Sequence, residues 1–272
     1  TVEPSAGGDA ETIEADVVIN ACGAIGGVPF LSQNGIRSKH LGRHLSIHPA
    51  GKIAALMPDA VKGWQDTPQG YAIYELFDQG VMFEGAFVPP ELASIAFPFI
   101  GRTFTSVMEQ YENIAMFGLL VADDPNGRVR VGPGGRPFIT YWMSRKDLER
   151  MRVGLIMLAE VFFAAGAERL FLPIAGHEEQ SSLSKAKAAL SAPLDPWRLE
   201  LAAFHPLGTA RMSNTRKDGV ITPELQTWEL PGLYVVDGSI FPSSLGVNPQ
   251  LSIMAHATLA GQRLAATMTK QV

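Results

Sequence analysis

Apolar and polar positions alternate with two different periods along this chain, and the switches between those periods mark its predicted elements. Asp16-Val-Val-Ile-Asn20 is a short β-branched run that stops at the small residues Ala21-Cys-Gly-Ala24. It predicts a buried strand ending in a close-packed turn. A short helix begins at Pro29 and ends near Gly35, and residues 1–12 ahead of the strand are polar, one side of a hairpin or a frayed end. Residues 50–130 hold most of the aromatic side chains, among them Tyr71, Phe83, Phe97 and Phe117, on strand-like alternations. Arg128–Val131 and Phe138–Tyr141 then flank Gly132-Pro-Gly-Gly135, whose glycines supply the positive φ of a hairpin turn. Ser144 reads as a helix N-cap with Asp147 in the first turn, followed by the stripe Leu148, Met151, Leu155, Leu158, Phe162 and a stop at Gly166. A polar connection rich in Ser and Lys spans 176–196. A strand over Leu233–Asp237 and a last helix from about Pro249 to Met268 complete the pattern. Strand-turn-helix units at both ends around an antiparallel middle predict an α/β core (α+β overall) with a separate sheet.

Composition narrows the function classes. With 272 residues, 46% of them hydrophobic and 18% charged, the chain can bury a large core. Its 22 basic and 27 acidic side chains are scattered, so no basic stripe matches nucleic-acid phosphates or an anionic membrane. Cys22 is the single cysteine, which excludes an intrachain disulfide framework. No uncharged apolar run approaches the ~20 residues of a membrane span, and Thr1-Val-Glu-Pro lacks the regions of a signal peptide. The expectation is a soluble protein, cytoplasmic rather than exported. Thr1 has the residue type of an N-terminal nucleophile, but nothing else in the sequence supports that chemistry.

Three segments concentrate the chemistry. His205 opens His-Pro-Leu-Gly-Thr-Ala-Arg-Met212, too rich in Pro and Gly for a long helix. A histidine titrates near neutrality and suits proton abstraction from a hydroxyl, although a lone histidine reads as readily as a hydrogen-bonded core residue. Leu233-Tyr-Val-Val-Asp237-Gly238 presents an acid and a glycine at the carboxyl end of a strand, where open α/β sheets bind ligands and where a plain Asp-Gly turn also fits. Asn248 precedes Pro249 and Gln250 at the head of the last helix. It can cap that helix or turn its amide toward a reacting oxygen.

Together, His205–Met212, Gly232–Pro242 and Leu245–Ala255 resemble, in order and spacing, the C-terminal signature of the glucose-methanol-choline (GMC) flavoprotein oxidoreductases. Asp16–Ile36 resembles that family's strand-turn segment near the FAD adenosine, and Arg37–Pro49 its next segment. The resemblance implies an FAD-binding Rossmann-like domain, here in part over 1–49 and 201–272, joined to a substrate-binding domain over 50–200 with an antiparallel sheet and flanking helices. It implies His205 as the base that takes the alcohol proton while hydride passes to the flavin, and Asn248 as the group that binds the substrate oxygen. It places Ala21 and Gly23 near the adenosine, Asp237 and Gly238 near the ribityl-pyrophosphate, and Asn248, Pro249 and Gln250 against the isoalloxazine. The alternative on the same scaffold is a lyase or decarboxylase. A non-catalytic fragment is the third reading.

Other residues carry less. His40, His44 and His48 recur every four positions, but Gly42 and Pro49 argue against a helix and no carboxylate completes a metal set, so no metal is expected. His177 and His256 have no evident partner, His256 reading as structural, and Met151–Met157 reads as core. The family's phosphate-cradling G-x-G-x-x-G is missing, and Gly23-Ala-Ile-Gly-Gly27 has the wrong spacing for it. A second chain or a lost N-terminal piece is therefore expected to supply that half of the FAD domain. The aromatic, Met- and Pro-rich stretch 68–117 points to a hydrophobic alcohol.

Overall fold

The structure, a computed structural model, describes residues 12–94, 97, 99–191 and 193–269. Thr1 and nearly all of the polar stretch 1–12 lie outside them. In chain order the strands are β1 (Val18–Asn20), β2 (Arg43–Leu45), β3 (Ala50–Leu56), β4 (Ala72–Ile73), β5 (Val81–Gly85), β6 (Ile114–Val121), β7 (Gly127–Val131), β8 (Pro137–Thr140), β9 (Arg169–Phe171), β10 (Glu179–Gln180) and β11 (Leu233–Val235). The helices are α1 (Gly23–Gln33), α2 (Pro90–Ala93), α3 (Gly101–Glu109), α4 (Arg145–Ala164), α5 (Leu183–Ser191) and α6 (Gln250–Thr269).

An antiparallel sheet in the order β10-β9-β3-β6-β5-β4 forms the middle of the molecule. Strand alternation sends Ile53, Ala55, Phe83, Val121 and Leu119 to one face, where they meet Met151, Leu155, Leu158 and Phe162 of α4 in the largest core cluster. The predicted α4 stripe is thus the buried one except for Leu148, which is half-buried, and Ser144 with Asp147 closes a reciprocal capping box at its start. The helix lies close on the sheet. A Cβ at Gly51 would come within 2.7 Å of the Met151 sulfur, and one at Gly154 within 3.1 Å of Leu119.

The predicted hairpin is β7-β8, which β2 extends to three strands. At the other end β1 pairs with β11 in parallel, Val18 opposite Leu233, and α1 follows β1 directly. The chain is therefore a mixed helix-and-strand protein with a large antiparallel sheet beside a parallel strand pair. A second core packs Leu31 and Ile36 against Leu207, Val235, Ile240, Phe241 and Ala260.

Three local expectations are revised. α1 begins at Gly23, so Pro29 lies inside the helix instead of opening it. The polar stretch after Gly176 contains β10 and α5, because Ala186 and Leu190 give that stretch one buried stripe facing the main core. β1 is not fully buried: Val18 is 44% and Ile19 52% exposed, since β11 is its one strand partner among the described residues.

If the packing of α4 on the sheet carries the main core, Leu155→Ala should cost about 3 kcal/mol, while the cap change Ser144→Ala should cost about 1 kcal/mol. Urea unfolding of both variants checks the order; equal losses would contradict it.

Candidate active site

The motif containing His205 builds a loop more than it builds a surface. Leu207, Thr209 and Ala210 are buried, Leu207 exchanges backbone hydrogen bonds with Ser46, and the Thr209 hydroxyl donates to the Ala24 carbonyl at 2.7 Å. Gly208 has φ +90°, and a Cβ there would lie 2.2 Å from the His44 carbonyl oxygen, so only glycine lets the loop lie on this segment. His205 is left half-buried at the head of the loop. Its Nδ1 is buried without a hydrogen-bond partner, and burial lowers its pKa below the ordinary histidine value.

His205 comes together with Asn248, Pro249 and Gln250 on one cleft of about 880 Å³. The cleft floor is the other face of the large sheet. Register places Lys52, Gly118 and Glu84 side by side on β3, β6 and β5, with Ala50 beside Lys52 and Ala86 just past β5. Small side chains leave the floor open, because the positions between the two charged residues carry no bulk. Burial raises the Glu84 pKa, and a side-chain hydrogen bond from Asn248 opposes that rise. Glu84 and Lys52 escaped the sequence reading. The available signal was that each is the one charged residue of an otherwise apolar strand.

The third missed residue is His48, fully buried at a left-handed φ of 48°. Its Nε2 accepts the backbone N–H of Leu245 at 3.1 Å and of Gly246 at 2.9 Å, on the segment that leads to Asn248. Its ring stands edge-on to that of His205, with centroids 5.6 Å apart. The neutral ring therefore carries its proton on Nδ1, an assignment that follows from the network. Asp123 secures the same turn, accepting from the N–H groups of Ile47 and His48 at 3.1 Å each and from the Tyr141 hydroxyl at 2.9 Å. The four-residue histidine spacing thus ends in separate environments. His40 Nδ1 and His44 Nε2 lie 3.0 Å apart, His48 pairs instead with the Leu245–Gly246 backbone, and no cluster of three metal-ligating side chains occurs among the described residues.

The remaining predicted residues lie at the ends of the parallel strands, outside the cleft lining. Asp237 accepts the Gly23 N–H on Oδ2 at 2.9 Å and the Ser239 N–H on Oδ1 at 2.8 Å, which joins the end of β11 to the first turn of α1. Gly238 is buried, and a Cβ there would press on Leu207 and the Pro206 carbonyl, so this turn backs the His205 loop. Ala21 is exposed, while a Cβ at Gly23, where φ is +73°, would meet no atom within 4 Å. Asn20 beside them is buried with Nδ2 unpartnered. His177 is exposed, and the His256 ring sits 2.9 Å from the Ser252 carbonyl within α6 and against Phe241.

Comparison with known proteins bears on this arrangement. The family described as GMC oxidoreductase matches residues 123–257. An uncharacterized GMC-type oxidoreductase of Mycobacterium tuberculosis is 36% identical over 248 residues, covering 89% of this chain and 39% of that protein. A long-chain-alcohol oxidase of Arabidopsis thaliana is 27% identical over 283 residues, 94% of this chain and 37% of that protein. The chain thus spans about two-fifths of these relatives' length. Among solved structures, a formate oxidase of Aspergillus oryzae superposes with a TM-score of 0.73 at 17% identity, over 99% of this chain and 57% of that one. Pyridoxine 4-oxidase from Mesorbium loti gives 0.64 at 19% identity, over 91% and 51%.

The His48 network makes stability depend on pH. Burial first, then His205, lowers the His48 pKa from 6.5 to about 4, so the folded state disfavours its proton. The stabilisation is full above pH 6.5 and is lost as pH falls toward 4, about 3 kcal/mol in all. His44, also lowered to about 4 chiefly by burial, acts in the same direction. Unfolding free energy measured from pH 7 to 4 should fall, and His48→Gln should flatten the fall; an unchanged slope in that variant would rule His48 out as a source.

Proposed function

The chain belongs to the GMC oxidoreductases, an FAD-dependent family, and from that premise we propose that its cleft oxidises an alcohol with His205 as the base. The observation that carries this reading is the meeting of His205 and Asn248, distant in sequence, on one cleft beside the half-buried carboxylate of Glu84. The residues present fit a bound FAD. Buried, unpartnered polar atoms remain at His205 Nδ1 and Asn20 Nδ2, and Gly23 opens the turn after β1. Ala21, Gly23, Asp237 and Gly238 would hold its nucleotide side, and Asn248, Pro249 and Gln250 its ring side. When bound, FAD supplies the hydride acceptor.

The chain's own groups then divide the work. Burial keeps His205 neutral at physiological pH, so it can accept the hydroxyl proton. Asn248 gives one amide hydrogen to Glu84, which fixes the amide and leaves the second to hold the substrate oxygen. His48 holds the Asn248 segment through Leu245 and Gly246 and stands edge-on to the His205 ring. The Ala and Gly floor, with Met116, Val88 and Leu92 around it, favours an apolar substrate body. The long-chain-alcohol oxidase relatives support the same substrate character.

The nucleotide side needs more protein than this chain provides. Ile19 on β1 and Leu251, Met254 and Leu259 on α6 are apolar and exposed, and the sequence lacks the phosphate-cradling glycine motif. We assign their cover to an N-terminal portion of the same protein or a second chain, which would complete the FAD domain.

Anaerobic addition of alkanols of increasing length to the FAD-loaded protein should bleach the flavin absorbance. His205→Ala should slow bleaching by about 10²–10⁴-fold with FAD still bound. Flavin that no alcohol reduces would instead favour the lyase or decarboxylase chemistry.

A further inference from the structure

Lys52 is the one charged residue of β3, Ala-Gly-Lys-Ile-Ala-Ala-Leu, and it faces the cleft floor. Its cross-strand neighbour is Gly118, which leaves the lysine stem uncovered, and Glu84 stands on the far side of that glycine. The Lys52 ammonium has a single partner among the described residues, Glu200 Oε1 at 3.5 Å. Glu200 also lines the cleft, and its other oxygen, Oε2, is buried with no hydrogen-bond partner. A surface ion pair of this length contributes little to stability, whereas a buried carboxylate oxygen without a donor is costly. The Lys52 ammonium and the Glu200 carboxylate therefore stand together on the cleft, their side chains 30% and 39% exposed, with hydrogen-bonding capacity beyond their mutual contact.

The ligand group that satisfies both is neutral and donates while it accepts. A carboxylate would meet Glu200 as a like charge, and an ammonium would meet Lys52. A hydroxyl can donate to the exposed part of the Glu200 carboxylate and accept from Lys52 Nζ at the same time. Lys52 and Glu84 are two strand spacings apart, about 10 Å between their backbones, and Glu84 holds Asn248. We propose that Lys52 and Glu200 form a subsite for a second hydroxyl of the substrate, so that the cleft takes diols with an apolar body between their two oxygens. This rests on reading the cleft as the alcohol site and narrows the substrate class.

The test measures equilibrium binding by calorimetry to the FAD-loaded protein, complete with its full FAD domain. The flavin is first reduced under anaerobic conditions so that no turnover occurs. The probes are 1,8-octanediol and 1-octanol, compared in the wild type, in Lys52→Met, which keeps the stem, and in the isosteric Glu200→Gln. The diol should bind about tenfold more tightly than the monoalcohol, as a hydrogen bond to a charged group provides. Both variants should bring that ratio close to one without weakening 1-octanol. No preference in the wild type, or a preference that both variants retain, would overturn the subsite. Oxidised protein mixed with the same two alcohols separates the two readings. If neither bleaches the flavin, alcohol oxidation fails, while the binding ratio still decides whether the diol subsite exists.

Discussion

The His48 imidazole has to stay neutral, because one of its nitrogens accepts two backbone N–H groups at once. Through that nitrogen the turn between β2 and β3 holds the segment leading to Asn248, and through its ring edge it backs His205. Asp123 and Tyr141 in turn fix the backbone on which His48 sits. Three stretches of chain that never approach one another in sequence are thereby set in a common frame. A protonated His48 would present a donor to two donors, so the charge state of one buried ring governs the geometry of the cleft.

The large sheet meets two demands that conflict. One face must take a twenty-residue helix at close range, and the other must leave room for a ligand. Glycine and alanine answer both. Gly51 admits the Met151 side chain on the helix face, while Gly118 and Ala50 keep the cleft face low. Glycine inside strands weakens a sheet, and the buried α4 interface offsets that weakness. A floor without bulk is also where a single charged side chain has the greatest effect, since nothing screens it from what enters.

Much of this was legible in the chain because it is local. The Ser144 cap, the α4 stripe and the Gly-Pro-Gly-Gly turn follow from short-range stereochemistry, and each stands where its pattern put it. The His205 and Asn248 segments were legible by their likeness to a known signature, and they share one cleft. What escaped depended on partners far away in sequence. Lys52 and Glu84 are ordinary charges until the register of β3, β6 and β5 brings them to one face. His48 looked like one member of a four-residue repeat, and its partners at Leu245 and Gly246 carry no side-chain signal. α5 was hidden because two buried positions suffice to dock so short a helix.

The bond from the Gly23 N–H to Asp237 spans 214 positions of sequence. Closing a flexible loop of that length costs about 5 kcal/mol of chain entropy, too much for one strand pair and a turn to overcome early. The intervening stretch must condense first, since the pairing of β3 with β6, β6 with β5 and α4 with all three needs far shorter loops. Once that stretch is rigid, the ends of β1 and β11 are already near each other and the remaining entropy cost is small. Loop entropy thus favours assembly from the cleft floor outward, with the closure between β1 and β11 late.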